Sequence, residues 1–140
     1  MSQAKVDNAK RGYAVISEAA SSGDWDAVRR YVEERFDPDV VLKPAGVLPE
    51  TDEMHGHDGA VRFLVAQSEA FDSLLIEPRE FLEAADRLLV TLRVSGHARH
   101  TGITIELERS HVFTYRHEQV SRMEIYANRA DALEAAGLRG

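Results

Sequence analysis

This sequence of 140 residues lacks three features, and each absence narrows the functions that we expect of the protein. It has no cysteine, which excludes disulfides, thiolate metal sites and cysteine nucleophiles and leaves the redox compartment undetermined. It has neither the run of roughly 20 apolar residues that a membrane helix needs nor an apolar signal-peptide core. Its basic residues are scattered and its formal net charge is -7, so we expect neither nucleic acid nor membrane as a partner. A cytoplasmic location is the resulting expectation.

Several enzyme motifs are also missing. No G-x-S-x-G string marks a serine hydrolase, and no glycine-rich loop is present that would hold a phosphate. The pairs His55/His57 and His97/His100 do not lie in the acidic pattern of a specific metal site, so we expect no metal and no organic cofactor. With 44% hydrophobic and 29% charged residues, residues 1–140 have the composition of one compact domain.

The first half of the sequence predicts helices. Tyr13 and Ile16 begin a helical repeat, and Asp24 is a predicted cap for a second helix that ends before Pro38. A short strand at residues 40–42 and an irregular loop to about Gly56 follow. Residues 58–71 have the spacing of a third helix with Asp58 as its cap.

The second half predicts four strands and a final helix. The strands cover about 74–84, 87–97, 103–116 and 119–126, and their short connections indicate antiparallel neighbours. Asn128 is the predicted cap of the last helix and Gly137 its stop. Helices followed by a long sheet define an α+β domain.

The third of these strands contains an anomaly. Residues 104–116 alternate between apolar and polar, yet Arg109 and His111 lie on the apolar face with Leu107 and Phe113. An ionisable side chain on that face needs a partner, water or a ligand. We therefore expect the functional site here.

The order of elements and several strings resemble the ketosteroid-isomerase-like, or nuclear-transport-factor-2-like, superfamily and within it the SnoaL-like domains. The strings are GDWDAV from Gly23, FDPDVVLKPAG from Phe36, HGHDGAVRFL from His55, HVFTYRHEQVSRMEIY from His111 and ADALEAAGL from Ala130. The resemblance implies a cone, in which a strongly curved antiparallel sheet surrounds a cavity that the N-terminal helices close. It does not decide the function, because this scaffold hosts isomerases, cyclases, hydrolases, dehydratases and binding proteins.

The resemblance also implies candidate catalytic residues. Lys43 occupies the position of the carboxylate base of ketosteroid isomerases, which makes steroid isomerisation unexpected. Tyr13 corresponds to their first-helix tyrosine, a donor to a carbonyl or enolate oxygen. His111 occupies the position of the catalytic aspartate of SnoaL-like cyclases, and a histidine can perform the same acid–base work.

Two alternatives remain open for the polar pair. Arg109 binds an acidic or enolate oxygen of a ligand, or it forms a structural ion pair with Glu124 on the next strand. His111 transfers a proton, or it is a core histidine in a hydrogen-bonded network.

Two functional hypotheses follow. In the first, the cavity binds a small, largely apolar molecule with a carbonyl or acidic group and catalyses isomerisation, cyclisation or dehydration with His111, Arg109 and Tyr13. In the second, the chain is a non-catalytic binding or dimerisation module. A homodimer is expected from the resemblance. Further expected ligand-contacting residues are Trp25, Lys43, Met54, His55, Phe63, Phe113, Glu124 and Tyr126.

Overall fold

The computed structural model describes residues 3–44 and 53–138, and it has the predicted α+β class. The elements in chain order are α1 (Gln3–Ser22), α2 (Trp25–Arg35), β1 (Phe36–Lys43), β2 (Met54–His55), α3 (Gly56–Glu69), β3 (Phe71–Ala84), β4 (Arg87–Ala98), β5 (Thr104–Arg116), β6 (Gln119–Tyr126) and α4 (Arg129–Ala135). Most of the irregular loop that was predicted between β1 and α3 lies outside the described residues.

The six strands form one open sheet in the order β2-β1-β6-β5-β4-β3. Strands β3 to β6 are antiparallel neighbours, as predicted from their short connections. Strand β1, however, runs parallel to β6, so the sheet is mixed, whereas the resemblance implied an antiparallel sheet. The parallel pair is possible because the long segment from β2 to β5 separates the two strands in sequence.

Helices α1 and α2 form a close antiparallel pair at the start of the chain. A Cβ at Gly12 would lie 2.6 Å from the end of the Tyr31 ring, so any larger residue would require the ring to shift. Helix α2 begins as predicted, with the Asp24 carboxylate accepting from the Ala27 amide at 3.2 Å. The pair therefore packs as a unit over the sheet.

The N-cap of helix α3 lies three residues earlier than the sequence indicated. This N-cap is His55, whose side chain makes no capping hydrogen bond, and Gly56 has a φ of 75°. Asp58 lies in the first turn and binds Arg29 at 2.9 Å instead of capping the helix. Phe71 fits the helical spacing of α3 but is the first residue of β3. An apolar residue at such a junction fits both the helical and the strand period, so periodicity does not assign it.

The sheet buries residues on both faces. The main core lies between its inner face and helices α1 to α3. On the outer face, Leu89 and Val112 pack under Ala132, Leu133 and Ala136 of the α4 region. Val112 shares the outer face of β5 with the polar residues of the alternation, yet it is fully buried because α4 covers it.

Strand β3 forms one edge of the sheet, and helix α1 packs beside it. The Ser17 hydroxyl accepts a hydrogen bond from the Ile76 amide at 3.2 Å. The register of β3 shifts between Pro78 and Glu80, where proline supplies no amide hydrogen. Some of the backbone hydrogen-bonding positions along this edge are thus already bonded within the protein or lack an amide hydrogen.

No helix in the described part of the chain is both long enough and apolar enough to span a membrane.

Candidate functional site

Strand β5 places Arg109 and His111 on the inner face of the sheet. His111 lies opposite Val90 on β4 and Ile125 on β6, and Arg109 lies opposite Leu92. These neighbours are buried and apolar. The alternation of β5 therefore carries both polar side chains into the apolar side of the protein, as the sequence predicted.

Between the sheet and helices α1 and α3 lies a cavity of about 160 Å³. Arg109 is the one residue charged at neutral pH among the described residues that line it. The other lining residues are Tyr13, Ile16, Phe63, Leu64, Gln67, Ser68, Phe71, Leu74, Ile76, Leu92, Val94, Leu107, Met123 and Ile125. The wall is predominantly apolar, which is typical of small-molecule sites.

Tyr13 and His111 are joined by a buried hydrogen bond. The Tyr13 hydroxyl and His111 Nδ1 are 2.8 Å apart, although the residues are 98 positions apart in sequence. Phe113 packs edge-on against the imidazole, with ring centroids 6.1 Å apart. Helix α1 and strand β5 thus fix the imidazole from two sides.

Burial keeps His111 neutral. Desolvation, with a further contribution from the nearby Arg109 charge, lowers the pKa of His111 to about 3. Burial also raises the pKa of the Tyr13 phenol well above its ordinary value. At neutral pH the pair therefore consists of an uncharged imidazole and an uncharged phenol.

Arg109 lies in the cavity wall without an acidic partner. Its Nη1 donates to the backbone oxygen of Glu108 at 2.9 Å, and within residues 3–44 and 53–138 it forms no ion pair. Burial lowers the pKa of Arg109, but a guanidinium stays protonated at neutral pH. The cavity therefore offers donors and a positive charge, and no carboxylate among the described lining residues offsets that charge.

The expected Arg109–Glu124 ion pair does not form. Glu124 lies opposite Val112, which places it on the outer face, where it accepts from the Tyr126 hydroxyl at 2.7 Å. Tyr126 is on the same outer face and packs against the cluster under α4. Neither residue lines the cavity, because both lie one position out of phase with Ile125 on β6.

Four other expected ligand contacts also lie outside the cavity. Trp25 packs at the periphery of the core and borders a surface recess near Arg99. Met54 packs against the core from β2. Lys43 is exposed opposite Glu124, and the His55 side chain is 67% exposed.

Of the two expected aromatic walls, only Phe63 lines the main cavity, which it does from α3. Phe113 lines a smaller void of about 20 Å³, whose lining shares Tyr13 with the main cavity. Gln67 was missed: it lies one helical turn after Phe63 and Leu64 and adds an amide to the lining. The spacing of residues 60, 63, 64 and 67 was the available signal.

Metal ligation has no support in the geometry. Within the described parts of the chain, no group of three His, Asp or Glu side chains is placed to hold a metal ion. His97 instead pairs with Asp72 at 3.0 Å, and the His57 imidazole bonds the backbone oxygen of Phe36 at 2.8 Å.

Together, the curved mixed sheet, the covering helices and the inner cavity define a domain of the nuclear-transport-factor-2-like and ketosteroid-isomerase-like fold. The chain belongs to the SnoaL-like domain family, which matches residues 14–123. Membership of this family, together with the apolar cavity, indicates a small-molecule-binding domain. No curated protein gives a significant sequence match.

Solved structures share this fold over most of the chain. A candidate SnoaL-like polyketide cyclase from Jannaschia sp. CCS1 is 17% identical with a TM-score of 0.74, covering 96% of this chain and 92% of its own. A candidate polyketide cyclase from Sinorhizobium meliloti is 29% identical with a TM-score of 0.56, covering 79% and 89%. TerC, co-crystallised with polyporic acid, is 21% identical with a TM-score of 0.63, covering 92% and 97%.

Proposed function

We propose that the chain binds a small, mostly apolar molecule whose carbonyl or acidic oxygen contacts Arg109 and His111. The observation that carries this proposal is the half-buried Arg109 guanidinium, which has no acidic partner among the described residues and lies in an apolar wall. A charge in such a place lacks part of its hydration, and an anionic or polarised oxygen compensates for that loss. The planar, forked guanidinium of Arg109 is suited to bind a carboxylate, a phenolate or an enolate.

The cavity volume supports a ligand body of about one ring. Its volume of about 160 Å³ is close to that of an apolar protein cavity of roughly 150 Å³ that binds benzene. A larger molecule requires movement of the residues at the cavity mouth, among which Gln67 is exposed and Phe71 and Leu107 are half-buried. We therefore expect a monocyclic ligand.

One of the structural neighbours supports an acidic ligand as the starting choice, although another was solved in complex with trimethylamine. TerC, which shares the fold, was co-crystallised with an acid, and two other neighbours are candidate polyketide cyclases. At these identities the shared fold makes such a ligand a reasonable starting choice for a binding screen. The contacts at Arg109 supply the chemical reason for choosing acids.

Catalysis is the second candidate function. The neutral state of His111, with its imidazole held by Tyr13, favours it. A neutral imidazole polarises a carbonyl by donating a hydrogen bond, and Arg109 stabilises the negative charge that develops on oxygen. The reaction class is isomerisation, cyclisation or dehydration, with no metal or organic cofactor in the proposed steps.

Binding is tested with a matched pair of probes, benzoate and toluene, by isothermal titration calorimetry. Replacing Arg109 with Met should weaken benzoate binding by about 10- to 100-fold, because one charge-assisted contact is lost, and should leave toluene binding unchanged. Arg93→Met is the control, since Arg93 pairs with Glu106 and is absent from the cavity lining.

Equal affinities of benzoate for the wild type and the Arg109→Met variant would overturn the proposal.

Catalysis is tested separately with His111→Gln on any carbonyl compound that the wild type converts. Loss of turnover with retained binding supports a catalytic role, and unchanged turnover contradicts it.

A further inference from the structure

We propose that Tyr13 fixes the tautomer of His111, so that the cavity receives the Nε2–H group as a hydrogen-bond donor. The inference deepens the proposed function and rests on it for the identity of the ligand class. It assigns Tyr13 as a positioning residue, which acts on the ligand through the imidazole.

The hydrogen bond between Tyr13 and His111 has two possible directions. In one, the phenolic O–H donates to Nδ1, and the imidazole proton resides on Nε2. In the other, Nδ1–H donates to the phenolic oxygen, and the phenolic hydrogen needs a different acceptor. Tyr13 is 4% exposed, and within the described residues its hydroxyl forms no hydrogen bond except the one to His111.

The first direction leaves no donor unsatisfied. The described residues contain no fully buried side-chain nitrogen or oxygen without a partner, and Nε2 forms no hydrogen bond with them. Nε2 therefore has accessible surface, which lies in the cavity that His111 lines. In the first direction, the Nε2–H group can bond water or ligand in the cavity. In the second direction, the phenolic hydrogen is buried without an acceptor, which lowers the population of that tautomer by roughly 5- to 150-fold relative to the first.

The tautomer restricts the ligand. Two donors then face the cavity from the same strand, the Nε2–H group of His111 and the guanidinium of Arg109, two residues before it. Side chains two positions apart on a strand project from the same face, roughly 7 Å apart. A carboxylate, a phenolate or a ring-bound carbonyl matches them, and an amine does not. His111 then polarises an oxygen and does not abstract a proton directly.

The tautomer can be measured without any ligand. Long-range ¹H–¹⁵N correlation spectra of the full chain at pH 7 distinguish a protonated from an unprotonated ring nitrogen of His111. We expect Nε2 to be protonated and Nδ1 unprotonated in the wild type, and the Nδ1–H population to increase several-fold in Tyr13→Phe.

The matched control is Tyr31→Phe. Tyr31 is also buried, and its hydroxyl donates to the backbone oxygen of Asn8 at 2.8 Å, so the variant loses a comparable hydrogen bond without contact to His111. Its His111 spectrum should match the wild type. A wild-type spectrum with Nδ1 protonated, or a tautomer ratio that Tyr13→Phe leaves unchanged, would overturn the inference.

Benzoate and benzylamine then connect the tautomer to binding. Benzoate should shift the His111 Nε2–H resonance downfield and bind several-fold more weakly to Tyr13→Phe, whereas benzylamine should bind neither protein. If the tautomer is as expected and benzoate does not bind, the proposed function fails while the assignment of Tyr13 stands. If benzylamine binds more tightly than benzoate, the restriction of the ligand to acceptors is wrong.

Discussion

Acidification should destabilise this protein through His111 at a pH where carboxylates are still ionised. The pKa of the imidazole is about 3 in the folded protein, against an ordinary value of 6.5. Below pH 6.5 the unfolded chain therefore takes up a proton that the folded chain does not. Stability decreases as the pH falls from 6.5 towards 3, and this contribution is fully present only above the unfolded pKa.

The size of the effect follows from these two pKa values. At pH 5 the unfolded imidazole is almost fully protonated and the folded one is almost fully neutral. The difference amounts to about 1.5 pKa units, or about 2 kcal/mol of unfolding free energy relative to pH 7.5. A domain of this size has a total stability of roughly 5 to 15 kcal/mol, so the loss is readily measurable.

The assay is urea unfolding of the wild type and His111→Gln at pH 7.5 and pH 5. Glutamine stays neutral over this range, and its amide can still bond the Tyr13 hydroxyl. All other ionisable groups are common to both proteins, so their contributions cancel in the comparison. The wild type should lose about 2 kcal/mol more than the variant. Equal losses in the two proteins would refute the assignment of His111 as a buried neutral group.

Two further predictions concern the cavity mouth and assembly. Gly96→Ala should destabilise the protein by about 1 to 3 kcal/mol in urea unfolding, because the new methyl group would lie 2.7 Å from the Phe71 ring and 2.8 Å from the Ser73 oxygen; an unchanged midpoint would contradict the close packing of β3 on β4. The homodimer stays a prediction from the family resemblance, and gel filtration at micromolar concentration that gives a mass near 15.6 kDa would reject it.

Hydrophobic periodicity predicted the helices and strands well because most of them bury one face and expose the other. The alternation of β5 was sufficient to place Arg109 and His111 on the inner side, and the Asp24 and Asn128 caps were correct. Junctions were less predictable. Phe71 satisfies the helical period of α3 and the period of β3, and in the structure it pairs with Ala98 of β4, a long-range contact that local periodicity does not encode.

The composition of the site was harder to predict than its location. The phase of β6 relative to β5 is set by strand register, which a single sequence does not encode locally. For this reason Glu124 and Tyr126 were expected in the cavity but lie on the outer face. The Tyr13–His111 bond joins residues 98 positions apart in sequence. The alternation of β5 indicated His111, whereas only the family resemblance suggested that Tyr13 belongs to the same site.

The outer strand β3 also affects how copies of this chain can meet. With the Ile76 amide engaged by Ser17, and with a proline at position 78, intermolecular strand addition there would meet an incomplete row of donors. Glu77 and Arg79 add charges beside that proline, which further oppose fibril-like growth. Self-association, where it occurs, is therefore expected through side-chain surfaces instead of continuation of the sheet.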